Sequence, residues 1–202
     1  MTMGHYVALE GVEGAGKSTV AALVADRLRG AGETVVIVRE PGGTPIGEGI
    51  RDVLLGKDMA DWTEALLFAA QRAQLAEQVI APALGSGAWV IGDRSVYSSL
   101  AYQGGARRLG VEAVRTVNQA GLQGVWPELV VLLKIEPSQG LDREDGTDRI
   151  GGQGLAFQRR VADAYEHLAA DEPLRFATVD ASRTVGRVVD EVVKALRERW
   201  HF

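Results

Sequence analysis

The chain has 202 residues, 46% hydrophobic and 24% charged, with 22 Lys and Arg against 27 Asp and Glu and no cysteine. This is ordinary globular usage at the length of one domain, and it excludes disorder, collagen and coiled coil as descriptions of the whole. A net charge of −5 argues against a general binder of nucleic acid or anionic membrane; the lack of thiols rules out disulfides and thiolate metal sites and suits the cytoplasm.

Met1 to Tyr6 leads into an apolar stretch with no basic segment ahead of it, so no signal peptide is expected, and no apolar run is long enough to span a bilayer. Tyr6–Leu9 reads as a first strand. The next residues, Gly11-Val12-Glu13-Gly14-Ala15-Gly16-Lys17-Ser18, fit G-x-x-x-x-G-K-[ST]. Glycines let backbone N–H groups close around phosphate oxygens, and the helix that follows points its positive end at them. Lys17 then reaches the β and γ phosphates of a nucleotide, and the Ser18 hydroxyl can ligate Mg²⁺. Val20, Leu23, Val24 and Leu28 share one face of that helix, with Gly30 or Gly32 as its stop.

A second strand is expected over Thr34–Val38, followed directly by Arg39 and Glu40. Leu66, Leu67, Ala70, Leu75, Val79 and Ile80 mark an apolar helix over 63–84 that ends near Pro82 or Gly85. Trp89–Ile91 is a third strand, and Asp93 at its end lies where ligands bind in open α/β sheets, placed to hold Mg²⁺ or its water shell. Helical patterns at 111–122, about 154–170 and 184–200 alternate with strands at Leu129–Ile135 and Phe176–Val179. The alternation predicts a single α/β domain, 1–202, with a five-stranded parallel sheet in a three-layer sandwich. The charged, Gly-rich stretch from Arg143 to Gly154 reads as a short mobile lid.

A phosphate loop alone fits a switch GTPase, a motor, a transporter ATPase or a small-molecule kinase. Arg39, Arg51, Arg72 and Arg94 sit at element ends or on a helix that could line the cleft, and several arginines around one cleft bind a second phosphate bidentately. At this point the sequence resembles the bacterial thymidylate kinases. The resemblance rests on GVEGAGKST, REPGGTPIGEGIR (39–51), TEALLFAAQRAQ (63–74), GDRSVYSSLAYQG (92–104), LQGVWPELVVLL (122–133) and DRI (148–150), in that order along nearly the whole chain.

That resemblance implies a P-loop kinase fold, ATP and Mg²⁺ as cofactors, and transfer of phosphate to dTMP in a cytoplasmic homodimer that needs no nucleic acid or membrane. It implies nucleotide contacts from Gly11 through Thr19 and adenine stacking by Arg143. Phe68 would stack on thymine, Arg72 would reach a base carbonyl, and Ser98, Ser99 and Gln103 would line the base edge. Tyr102 would pack on the deoxyribose where a 2′-hydroxyl would be crowded. Arg39, Arg51 and Arg94 would bind phosphate, with Glu40 near the sugar. The loop carries Glu13-Gly14-Ala15, so the resemblance is to the version that supplies a catalytic arginine from the lid. Arg143 and Arg149 are the candidates, with Arg149 taken as catalytic beside Lys17, Asp93 and Arg94. Ser95 replaces the aromatic that often follows Asp-Arg. Two other readings are a kinase for another nucleotide or a nucleoside, and a nucleotide-binding regulatory ATPase; the second would leave the arginines idle.

Overall fold

Strands apolar on both faces need cover on both sides, and helices supply it here. The computed structural model describes residues 4–143 and 149–202. Among them lies one sheet of five strands, β1 (Tyr6–Glu10), β2 (Val35–Arg39), β3 (Trp89–Asp93), β4 (Leu129–Lys134) and β5 (Phe176–Asp180), in the order β2-β3-β1-β4-β5. Every pairing is parallel. The central β1 and β3 are buried throughout, whereas the edge strands β2 and β5 are only partly covered.

The chain steps from β1 to β2 on one side, returns to β3, then crosses β1 to reach β4 on the other. That reversal opens a crevice beside the carboxyl end of β1, the place where such sheets take ligands. The opposite end is closed. Trp89, at the start of β3, packs edge-on against Trp200 and Phe202, with ring centroids 5.1 Å apart in both cases.

The expected helices form as α1 (Lys17–Gly30), α6 (Val111–Leu122), α8 (Leu155–Asp171) and α9 (Val185–Trp200). The helix read over 63–84 is α3 (Asp61–Leu75) followed by a π-helical segment at Ala76–Ile80 and α4 (Ala81–Gly85). Other elements have no counterpart in the sequence reading. One is α2 (Pro45–Gly56), hidden in a stretch dense in Gly and Pro; Thr44 caps it by accepting from the Gly47 N–H at 2.9 Å, and Pro45 fills its first turn. Another is α5 (Val96–Ser99), which continues as a π-helical segment over Leu100–Ala106. A third is α7 (Pro137–Leu141), after β4. Of the stretch 143–154, Glu144, Asp145, Gly146, Thr147 and Asp148 lie outside the described residues.

The phosphate loop rests on α7 at a distance only glycine permits. A Cβ on Gly140 would lie 2.2 Å from the Glu13 carbonyl oxygen, and one on Gly14, whose φ is +69°, would lie 1.9 Å from the Gly140 carbonyl oxygen. Gly140→Ala should therefore destabilise the protein by about 1–3 kcal/mol, because backbone and not a flexible side chain must give way. In a protein of this size each kcal/mol lowers Tm by about 2–4 °C. Gly186→Ala is the contrast: inside α9 with nothing within 4 Å, it should leave Tm unchanged or raise it. Thermal melts of the two variants check both signs.

Candidate active site

The carboxyl ends of β1, β2 and β3 converge on a cavity of about 750 Å³, ordinary for a small-molecule site. Its floor is the phosphate loop from Glu13 to Thr19. Gly16, at φ +87°, turns the chain into α1, so the first turn of that helix opens at the cavity. Gly11 and Val12, expected among the phosphate contacts, do not line it. Their carbonyl oxygens instead accept from Lys17 Nζ at 3.2 and 2.7 Å. They therefore hold the lysine in place.

Lys17 is 6% exposed. Burial, then the Arg94 charge, push its ammonium down to about 8 against the opposing pull of Glu13, Asp93 and Glu10. Ser18 Oγ donates to Asp93 Oδ2 at 2.5 Å. A hydroxyl and a carboxylate so joined, both at the cavity, are the hard oxygen donors that suit Mg²⁺, which takes few protein ligands and completes its shell with phosphate and water.

Arg94 follows β3 with its backbone at φ +73°, a left-handed conformation uncommon for a non-glycine residue. Its guanidinium donates to Glu13 Oε1 at 2.6 Å and approaches Ser98 Oγ at 3.3 Å. Burial opposes the Glu13 charge, but Arg94, Lys17 and a hydrogen bond from Tyr102 Oη at 3.1 Å outweigh it and hold the carboxyl at about 2. The Tyr102 ring lies 5.2 Å from the Arg94 guanidinium carbon, and burial raises its phenol above the usual range.

Beneath this pair sits Glu10, fully buried. It accepts from Ser95 Oγ at 2.7 Å, Ser98 N–H at 3.1 Å, Ser98 Oγ at 2.6 Å and Tyr165 Oη at 2.7 Å. Here the expectation for Ser98 changes. It does line the cavity, but its hydroxyl is committed to Glu10 and is not offered to a base. The small Ser95 is explained as well: it reaches Glu10 and also caps α5 by accepting from the Tyr97 N–H.

Arg39, Glu40, Arg51, Phe68, Ser99 and Gln103, all singled out in the sequence, line the same cavity. Arg39 is paired with Glu48 at 2.9 Å and its side chain is 46% exposed, while Arg51 donates to the Pro41 carbonyl at 2.8 Å. Phe68 is 9% exposed, presenting only part of its ring. Arg72, one turn on, does not line the cavity. Its guanidinium is 1% exposed and donates to Glu40 Oε2 at 2.6 Å, Asn118 Oδ1 at 2.6 Å and the Ser95 carbonyl at 3.3 Å. It works from behind the wall, fixing Glu40 and the turn after β3. Arg149 also departs from expectation. It donates to Glu64 Oε2 at 2.6 Å and to the Leu54 carbonyl at 2.9 Å, and is not among the residues that line the cavity. Arg143 does line the cavity, near Ala181 and Val185 after β5. Sequence reasoning missed Glu64, which carries no local signal, and the 181–188 wall, which the placement of β5 in a parallel sheet implies.

The family model described as thymidylate kinase matches residues 9–192. The chain is 40% identical over 199 residues, 96% of both chains, to the thymidylate kinase of Caldanaerobacter subterraneus subsp. tengcongensis. It is 43% identical over 197 residues, 94% of both chains, to that of Halothermothrix orenii, and 42% over 206 residues, 100% of both chains, to that of Deinococcus radiodurans.

The depressed Lys17 pKa has a measurable sign. In the free protein the lysine loses its proton as pH rises past about 8, whereas a polyphosphate beside it restores the charge. Affinity for a non-hydrolysable ATP analogue should be flat at lower pH and fall above pH 8 by up to about tenfold per pH unit, with uptake of a proton. Calorimetry in two buffers of different ionisation heat measures that proton. Lys17→Arg, which keeps its charge throughout, should abolish the slope.

Proposed function

This chain belongs to the thymidylate kinase family and phosphorylates dTMP to dTDP at the expense of a nucleoside triphosphate; we propose that the triphosphate is ATP carried with Mg²⁺, and that both substrates meet in the cavity above β1. One observation carries this reading: the phosphate loop with Lys17 and the three arginines Arg39, Arg51 and Arg94 border the same cavity. That supports a reading in which one cavity takes two phosphate groups.

The donor half is the loop from Glu13 to Thr19, with Ser18 and Asp93 as the residues that would hold Mg²⁺ and Arg143 against adenine. Bound Mg²⁺ supplies charge neutralisation at the β and γ phosphates. The acceptor half is Phe68 under the base, Ser99 and Gln103 at its edge, Tyr102 against the sugar, Glu40 beside it, and the arginines on the 5′-phosphate. An oxygen of that phosphate attacks the γ-phosphorus, the bond from phosphorus to the β,γ-bridging oxygen breaks, and ADP leaves. No general base is needed, since a phosphate monoester is largely a dianion at neutral pH. The residues contribute by holding two anions in line and spreading positive charge where negative charge develops. Arg94 is central, because exchange of its carboxylate partner for phosphate brings a desolvated guanidinium to the reacting groups. Arg149 is assigned to holding the lid base to α2 and α3, outside the chemistry.

The single-domain reading, the lid over about 143–154 and the homodimer belong to the same proposal. The dimer is supported by Trp62 and Leu66, four residues apart on α3, which stay 42% and 51% exposed. The cytoplasm is the compartment that the cysteine-free composition suits.

A panel of dTMP, dUMP, UMP, CMP, AMP and GMP with ATP tests the assignment: dTMP should be the preferred acceptor, and equal use of a purine would sink it. Arg94→Ala should lower kcat by about 10²–10³-fold, as loss of a preorganised charge does elsewhere. For the sugar, Tyr102→Ala should narrow the kcat/KM gap between dTMP and its ribose counterpart, chiefly through better use of the ribonucleotide. Tyr102→Phe keeps the ring, so it should keep the gap while losing the hydrogen bond to Glu13.

A further inference from the structure

Glu64 lies in the first turns of α3, is 1% exposed, and belongs to neither phosphate half. Its carboxylate gathers donors from three directions. Gln103 Nε2 donates to Oε1 at 2.8 Å, Arg107 donates to Oε1 and Oε2 at 3.1 and 2.9 Å, and Arg149 donates to Oε2 at 2.6 Å. Burial opposes the Glu64 charge, but the hydrogen bonds from Arg107, Gln103 and Arg149 outweigh it and keep the carboxyl below its usual range. A carboxylate so held is ionised at neutral pH, and it only accepts.

That fixes a neighbour with two unlike ends. An amide beside a carboxylate must turn its NH₂ toward it, because the reverse rotamer would bring two acceptors together in a dry site. The carbonyl end of Gln103 is then the end left over. Gln103 lines the cavity, is 1% exposed, and its Oε1 is buried without a hydrogen-bond partner. A buried acceptor without a partner costs free energy until a donor arrives.

We propose that Glu64 is a positioning residue for base recognition, pinning the Gln103 amide with its carbonyl toward the cavity so that the site accepts a pyrimidine whose ring edge presents an N–H and disfavours one whose ring edge presents a lone pair. This rests on the reading that puts the base against Gln103. Thymine carries such an N–H at N3, and cytosine carries a lone pair there. Arg107 and Arg149 do not need Gln103 for their own neutralisation. The third donor on Glu64 is therefore what couples this carboxylate to the cavity.

The test is a cycle of Glu64→Gln, Gln103→Leu and the double variant, read as KM and kcat for dTMP and dCMP, with circular dichroism melts as the check on folding. A neutral amide at 64 both donates and accepts, so it no longer dictates which way Gln103 faces. Glu64→Gln should raise the KM for dTMP about tenfold, leave kcat within about twofold, and lower the preference for dTMP over dCMP. In the Gln103→Leu background the same change should add nothing, because its route to the base is gone. Full additivity in the double variant, or an unchanged preference in Glu64→Gln, would overturn the proposal. An unaltered KM for dTMP in Gln103→Leu alone would overturn the placement of the base, a separate failure. If Glu64→Gln does not fold, Glu64→Asp takes its place: it keeps the negative charge but draws the carboxylate back by one methylene from all three donors, so the long, flexible arginines can follow it while its hold on the Gln103 amide loosens, and the same KM rise and loss of preference are expected.

Discussion

A carboxylate inside the phosphate loop faces an arginine from the end of β3, and the shape of the cavity depends on that pair. Of the anions that offset the repulsion between the buried charges of Lys17 and Arg94, Glu13 acts most strongly on both, ahead of Asp93 and Glu10 on the lysine and of Glu10 on the arginine. Through Glu13, two neighbouring strands are tied together at their carboxyl ends, and Arg94 keeps a left-handed backbone that few surroundings would support. Such a pair is weak evidence for stability, since desolvation offsets most of its attraction. Its value lies in geometry: internal anions hold the cations of the cavity in place.

A second layer of buried polar groups supports the first. Glu10 beneath Arg94, and Glu40 between Arg72 and the cavity, are carboxylates that hold other residues. They stiffen the turn after β3 from two sides, Glu10 through Ser95 and Ser98, and Arg72 through the Ser95 carbonyl. Much of the acidic surplus close to the site is therefore structural.

What the sequence disclosed follows from how local each signal is. The five strands were legible because continuous apolar runs leave few alternatives, and the phosphate loop because its residues act within one turn. Asp93 and Arg39 stood out because their strand ends fall beside the phosphate loop. The helix α2 was not legible, since its Gly and Pro content reads as loop and only the Thr44–Pro45 start marks it. The change from α to π winding within the 63–84 helix was equally hidden, because apolar spacing tolerates one extra residue. Motif resemblance singled out Ser98, Arg72 and Arg149 as contacts of the base and the transferring phosphate, but not the carboxylates they touch. Their partners Glu10, Glu40 and Glu64 are distant in sequence; Glu40 was singled out through the resemblance, whereas Glu10 and Glu64, as acidic residues, would ordinarily be read as solvated.

The π segment at Leu100–Ala106 carries both Tyr102 and Gln103. Relative to an α-helix, a π turn holds one residue more, and each residue on a helix advances the facing direction by about 100°. Loss of a single residue there would relax the segment to α-helical winding and rotate everything on one side of the deletion by that angle. Arg107 would swing off Glu64, or Tyr102 would leave Arg94, depending on which flank moved. The residue count of this short stretch, more than the identity of any one side chain in it, keeps Tyr102 and Gln103 in one cavity. Length variation among chains of this fold should therefore gather in surface connections and spare these seven residues.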